Sequence, residues 1–162
     1  MGGDEAKQPD ADAVEVQRPG VPAAVLVADC LPIVLASSEK AVVVHAGWRG
    51  LAAGILNRAI SRFGRPALVA AAIGPAVGPC HYEVGREVAR AVESGSSAGV
   101  VGEGRGDRVA LDLPATAERI LGEAGVTVVE QAGVCTACQE SRFFSHRRDG
   151  MTGRQAGIAL RL

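Results

Sequence analysis

The chain has 162 residues, 48% of them hydrophobic and 22% charged, which is enough for one globular domain with a real core. Its formal net charge of -1 supplies no global field for nucleic acid or an anionic membrane, and with 3% aromatic residues it has no base-stacking platform, so any anion recognition must be local. No apolar run reaches membrane-spanning length and the start, "MGGDEAKQPDADAVEVQ", is acidic, so a cytoplasmic protein is expected, whose four cysteines (Cys30, Cys80, Cys135 and Cys138) read as free, metal-bound or catalytic rather than as disulfides.

Residues 1–12 lack periodicity and read as a loose lead, followed by a single domain over 13–162. "AAVLVADCLPIVLAS" is two short apolar runs parted at Cys30 and Pro32; because Pro32 cannot donate to a ladder, Cys30 is expected at a strand end or bulge. In "AVVVHAGWRGLAAGILNRAI" the periodicity changes midway. Ala41 to Val44 form a β-branched run suited to a strand buried on both faces. Leu51, Ile55, Ala59 and Phe63, with Ala52, Leu56 and Ile60, form the apolar stripe of a helix. His45 falls at the strand end, and Gly47 to Gly50 at a turn whose N–H groups suit an anion or a polarised substrate.

Further on, "ALVAAAIGP" is a strand and "IGPAVGPCHYEVG" a pair of glycine-proline turns. "EVGREVARAVE" puts Val84, Val88, Ala91 and Val92 on one helical face, and "GSSAGVVGEGRGD" is a glycine-rich loop. "LDLPATAERILGEAG" is a helix with Pro114 in its first turn and Gly125 past its end. "VTVVEQAGV" is a strand ending at Cys135, and "AGIALRL" a last short one. The alternation of strands and helices predicts a layered α/β domain with reactive residues at strand ends.

Each candidate has an ordinary reading beside the functional one. Cys30 after an apolar run fits a core residue as well as a nucleophile, and His45 gains only from its place before a turn. "CTAC", Cys135 to Cys138, has redox or zinc-knuckle spacing but no second such pair to complete a four-cysteine site, so it is expected to be incidental. "SRFFSHRRDG" reads either as a solvated face with a phenylalanine anchor or as a phosphate-binding hook, and His81 is a weak candidate ligand.

Taken together, "VADCLPIVL", "VVHAGWRGLAAGIL", "AAIGPAVGPCHYEVG", "LDL" and "CTACQESRFFSHRRDGMTGRQAGIAL" resemble the YfiH-type family, also called the laccase-domain or multicopper polyphenol oxidoreductase family, from about Ala13 to Leu162. The resemblance implies a four-layer α/β/β/α sandwich with mixed sheets and a zinc site of two histidines and one cysteine, with copper as the alternative metal. It implies a purine nucleoside phosphorylase that also deaminates adenosine, acting on a purine nucleoside and phosphate, beside older readings as a copper polyphenol oxidase and as a peptidoglycan-editing enzyme. By motif the family's metal-binding cysteine maps to Cys30 and one of its histidines to His45.

The chain departs from the family in one respect. The resemblance places the second histidine ligand in an upstream Gln-Val-His segment, and nothing like it precedes Cys30, so about the first third of a usual family chain is expected to be absent; His146 also stands where the family commonly has tyrosine. A catalytic zinc takes three protein ligands and a water, so the expectation is an incomplete metal site, with His81 as the one weak candidate to fill it, and an exposed sheet edge that invites self-association. On that basis Cys30 and His45 are assigned to the metal and to catalysis, and Arg49 and Arg147 to charge stabilisation, because an arginine fork pairs bidentately with phosphate. Two other outcomes stay open: a metal-free Cys30/His45 hydrolase in which the turn amides form an oxyanion hole, and a non-catalytic domain that works only beside a partner chain.

Overall fold

A computed structural model describes residues 11–96 and 99–162; the first ten residues of the expected lead, and Ser97 and Ala98 of the glycine-rich stretch, lie outside the described residues. The centre is a five-stranded mixed sheet built from β1 (Ala13–Glu15), β3 (Leu31–Ala36), β4 (Ala41–Ala46), β5 (Ala70–Ile73) and β9 (Val128–Gln131), in the order β1-β4-β3-β5-β9. All its pairings are antiparallel except β5 with β9. A second sheet pairs β2 (Ala23–Val27) with β10 (Gln155–Ala159), and a third has the order β6-β8-β7 from Glu83–Gly85, Arg108–Leu111 and Val101–Glu103. The helices are α1 (Trp48–Ala52), α2 (Ile55–Ser61), α3 (Arg86–Ser96), α4 (Leu113–Glu123) and α5 (His146–Asp149).

Alternation along the strands decides what each face of the central sheet buries. Leu31, Ile33 and Leu35 of β3, with Val42, Val44 and Ala46 of β4, enter a core shared with Ile55, Leu56, Ala59 and Ile60 of α2 and Leu113, Ala117, Ile120 and Leu121 of α4. The opposite face of β4 carries Ala41 and Val43 into a second cluster with Ala23, Val25, Val27 and Ala159 of the two-stranded sheet. The continuous valine run of β4 is therefore buried on both sides, as its sequence requires. His45 shares the parity of Ala41 and Val43, which puts it on the side of the second cluster, and Cys30 packs against that same cluster.

Pro32 sits inside β3, paired with His45 of β4, while the ladder to β5 starts one residue later at Ile33. Its ring is accommodated by two glycines. A Cβ on Gly157 would stand 2.6 Å from Pro32 Cβ, and one on Gly74 2.8 Å from Pro32 Cγ. Cys30 immediately precedes the strand, as expected of a cysteine beside a proline that cannot donate.

Three local expectations are corrected. The apolar stripe from Leu51 to Phe63 is not one helix: Gly54 adopts φ 73°, ψ 33° and divides it into α1 and α2, since a stripe of matching period does not report a left-handed residue between two short helices. Val84 belongs to β6, and α3 begins only at Arg86. The "glycine-rich loop" contains a hairpin, β7 with β8, turning through Gly106 at φ 62°. The helix at Leu113 matches its sequence signals: Asp112 accepts the Ala115 N–H at 2.9 Å as N-cap, Pro114 lies in the first turn and Gly125 follows the end at φ 88°.

The break at Gly54 sets the sign of a substitution. In a continuous helix Gly54→Ala would stabilise by about 1 kcal/mol through helix propensity. In the observed left-handed conformation it is expected to destabilise by about 1 kcal/mol or more, read as a lowered urea midpoint with an unchanged m-value.

Candidate functional site

The turn before β3 is shaped by Asp29, a non-glycine residue at φ 87° whose side chain is buried. Its two carboxylate oxygens accept different partners: Oδ1 takes the Thr136 hydroxyl at 2.6 Å and Oδ2 the Arg147 backbone N–H at 2.6 Å. Asp29 also accepts the Val77 N–H at its carbonyl, 2.9 Å away. One residue thus gathers three loops, those of "ADC", "CTAC" and "SHRRD", and delivers Cys30 to the front of them.

Cys30 and His45 come together there, the thiol near enough to be the largest influence on the imidazole's proton. Gly47 makes room for the thiol, since a Cβ at that position would lie 3.0 Å from Cys30 Sγ. Asp12 holds His45 twice: its Oδ1 accepts from His45 Nδ1 at 2.8 Å and its carbonyl accepts the His45 backbone N–H at 2.7 Å. This fixes the ring and leaves its other nitrogen for a partner. The Cys30 side chain and, after it, the Asp12 carboxylate outweigh partial burial and raise His45 from 6.5 to about 9.

Tyr82 forms the adjoining wall. The Arg147 guanidinium lies 4.9 Å over its ring and donates from Nη1 to the Glu83 carbonyl at 3.4 Å; Arg49 stacks 4.5 Å over its own neighbour Trp48. Burial pushes the Tyr82 phenol up, as do Cys30 and Asp29, while Arg147 and Arg49 pull it down. Of the four sequence-predicted residues, Arg147 stacks on Tyr82, Cys30 and Arg49 lie near enough to act on its phenol, and His45 neighbours Cys30. The helix expected to lend its N-terminal charge here is the five-residue α1, too short for a strong dipole, so positive charge in this corner resides on the arginine side chains. Arg148 does other work: it donates to the carbonyls of Thr136, Ala137 and Phe143 and forks onto the Asp149 carboxylate, clamping the C-terminal motif.

His81 does not turn to this pair. Its Nδ1 lies 3.3 Å from Cys80 Sγ, 3.4 Å from Cys138 Sγ and 3.9 Å from Cys135 Sγ. Among the described residues, these four are the one group of three or more such donors whose ligand atoms all lie within 4.8 Å of one another. "CTAC" is accordingly not isolated: folding supplies its missing pair from Cys80 and His81, of which His81 reads in sequence as a weak candidate for the Cys30 site and neither is linked there to "CTAC". The thiols are unlike one another. Burial and the neighbouring sulfurs push Cys80 up to about 12, whereas Cys135, despite burial, is brought down to about 7 by the Gly78 N–H directed at its sulfur and by its neighbour Cys138.

The donors show how far each place fits a metal. Cys30 and His45 are a thiolate and an imidazole, the right types for zinc, but no third donor joins them among the described residues, one short of the usual catalytic set. The Cys80 group can hold a metal with four donors of its own. Sequence reasoning missed Asp12, placed in the loose lead, as well as Asp29, Thr136 and Tyr82, although these last three lay inside quoted motifs beside Cys30, Cys135 and His81.

Residues 2–161 match the family described as multi-copper polyphenol oxidoreductase laccase. The chain is 39% identical over 154 residues to purine nucleoside phosphorylase YfiH of Shigella flexneri, covering 91% of this chain and 63% of that protein. It is 43% identical over 159 residues to a purine nucleoside phosphorylase of Xylella fastidiosa strain 9a5c, covering 94% and 61%. The crystal structure of Neisseria meningitidis protein NMB0706 superposes with a TM-score of 0.85 at 38% identity over 95% of this chain and 66% of that one. YlmD from Geobacillus stearothermophilus gives 0.85 at 35%, over 93% and 61%. The chain spans somewhat under two thirds of the curated relatives it matches, and no helix among the described residues is long and apolar enough to cross a membrane. With nearly its whole length matched and its sequence motifs gathered around one site, the chain belongs to the YfiH-type laccase-domain family, in which relatives are named purine nucleoside phosphorylases.

Proposed function

We propose that this chain carries the phosphate-handling side of a purine nucleoside phosphorylase. The observation that carries the reading is Arg147 stacked over Tyr82, with Arg49, stacked on Trp48, near enough to act on the same phenol. In phosphorolysis a phosphate oxygen bonds to the sugar C1′ as the C1′–N9 bond breaks, and that bonding pair leaves with the purine. Two arginines near the reacting atoms would hold the phosphate and offset its charge, and the Tyr82 ring offers a flat surface for a base or sugar. Adenosine deamination belongs to the proposal only where a third donor joins Cys30 and His45. The four-layer α/β/β/α arrangement and self-association through open strands belong to the same reading; the outer side of the β2–β10 sheet leaves Leu26 and Ile158 exposed.

The closeness of Cys30 to His45 favours a second reading, a metal-independent hydrolase of the peptidoglycan-editing kind in which His45 assists a Cys30 nucleophile. Thiol alkylation separates the two: protection of Cys30 by zinc marks a ligand, whereas zinc-independent labelling by a mechanism-based reagent marks a nucleophile.

Replacing Arg49 or Arg147 by alanine is expected to weaken phosphate-dependent release of purine from inosine or adenosine roughly ten- to a hundredfold, since one charge-assisted contact is worth about 1.5 to 3 kcal/mol. Zinc binding should be unaffected. Phosphorolysis that survives both substitutions removes the arginines from the reaction.

The Asp12 contact predicts a pH effect in the metal-free chain. Because His45 titrates near 9 instead of 6.5, its protonated form contributes stability that is fully present below about 6.5 and is lost as the pH rises through about 9. Asp12→Asn should shift the imidazole midpoint downward in an NMR titration and narrow that window from its alkaline side. A midpoint that stays near 9 would mean that Cys30 alone holds the proton.

A further inference from the structure

We propose that Cys80, His81, Cys135 and Cys138 form a closed tetrahedral zinc site, separate from Cys30 and His45, that ties the two loops carrying Tyr82 and Thr136 into one wall.

Distances are the first support. A tetrahedral zinc with Zn–S of about 2.3 Å and Zn–N of about 2.0 Å spaces its sulfurs roughly 3.8 Å apart and a sulfur and nitrogen roughly 3.5 Å apart. Cys80 Sγ and Cys138 Sγ are 3.6 Å apart, and His81 Nδ1 stands 3.3, 3.4 and 3.9 Å from the three sulfurs. The two sulfurs are well beyond the ~2.05 Å of a disulfide bond, and the four donor atoms already outline the polyhedron that the ion would fill.

The loops supply the second support. Cys135 and Cys138 are the ends of one turn, closed by the Cys138 N–H donating to the Cys135 carbonyl at 3.2 Å. From the facing loop the Gly78 N–H donates to Cys135 Sγ at 3.2 Å, a contact that favours a thiolate there. Gly78 must be small: a Cβ would lie 3.2 Å from Cys135 Cβ and 3.5 Å from the sulfurs of both Cys135 and Cys80. The loops are held in register by a bridge between Ala76 and Cys135 and by the Thr136 N–H donating to the Ala76 carbonyl at 2.9 Å.

Three thiolates and one imidazole are a soft donor set that selects zinc over hard cations, and four protein ligands leave no open position for a substrate. Binding displaces the thiol protons to solvent and leaves no electron to be accounted for. The effect reaches the other site through covalent neighbours. Tyr82 follows His81 directly, and Thr136, fully buried between the two cysteine ligands, holds Asp29 and through it the Arg147 backbone. The ion is a positioning element.

The test is elemental analysis of the full chain purified under reducing conditions. About one zinc per chain is expected to persist in the Cys30→Ala/His45→Ala double variant and to be lost in Cys138→Ser. Zinc that disappears in the double variant but stays in Cys138→Ser overturns the proposal, as does a chain that holds no metal and carries a Cys80–Cys138 cross-link. Against the case in which Cys138→Ser fails to fold, cobalt(II) exchanged into the unsubstituted chain gives a second measure. The expected spectrum is that of tetrahedral cobalt with sulfur charge-transfer intensity for three thiolates; an octahedral spectrum, or the intensity of one thiolate, overturns it.

Discussion

The buried carboxylate of Asp29 is the contact on which the site's geometry rests. Its φ of 87° is unusual for a residue with a side chain, and it is held there because each oxygen is engaged, one by the Thr136 hydroxyl and one by the Arg147 N–H. A charge removed from water is costly unless its lone pairs are filled, so the two segments that fill them are bound by that requirement to the turn that carries Asp29. Cys30 follows in the chain and inherits its direction from this turn. Arg147 owes its place to a backbone bond, which leaves its guanidinium available to stack on Tyr82.

Much of this was legible in the residues because it follows from local rules. A continuous valine run demands burial on two faces, and β4 has it; Asp112, Pro114 and Gly125 bracket α4 as capping chemistry requires. The neighbourhood of Cys30 and His45 followed from two strand ends and a family motif. What stayed hidden depends on partners distant in sequence. Asp12 looked like part of an acidic lead, yet pairing of β1 with β4 carries it to His45. Cys80 and His81 acquire meaning only beside residues 54 or more positions away, and no spacing rule spans such a gap. Gly54 was concealed for the opposite reason: the stripe on both sides of it was so regular that it masked the break.

The two sulfur centres divide the chemistry. At Cys30 a thiol meets an imidazole and two nearby arginines, with fewer protein donors than a metal needs to be enclosed. At Cys135 the donors face one another and are supported by backbone N–H groups, an arrangement that holds more than it transforms. They communicate through two short paths, His81 to Tyr82 and Cys135 to Thr136 to Asp29, so rigidity at one becomes placement at the other.

The proline in β3 has a consequence for how this molecule can vary. Its ring is clasped by Gly74 from one neighbouring segment and Gly157 from another, each within a distance that no methyl group could share. The three positions are therefore linked in size: a side chain at 74 demands a residue at 32 without a Cγ there, and one at 157 demands a residue at 32 without even a Cβ. Gly74→Ala combined with Pro32→Ala should be less damaging than the sum of the two single changes, because the Cγ that a Cβ at 74 meets is gone, whereas Gly157→Ala gains nothing from Pro32→Ala, which keeps the Cβ that Gly157 faces. Across a lineage, such a triplet would drift together or not at all, and because Pro32 lies directly opposite His45, its freedom to drift is bounded by the site it faces.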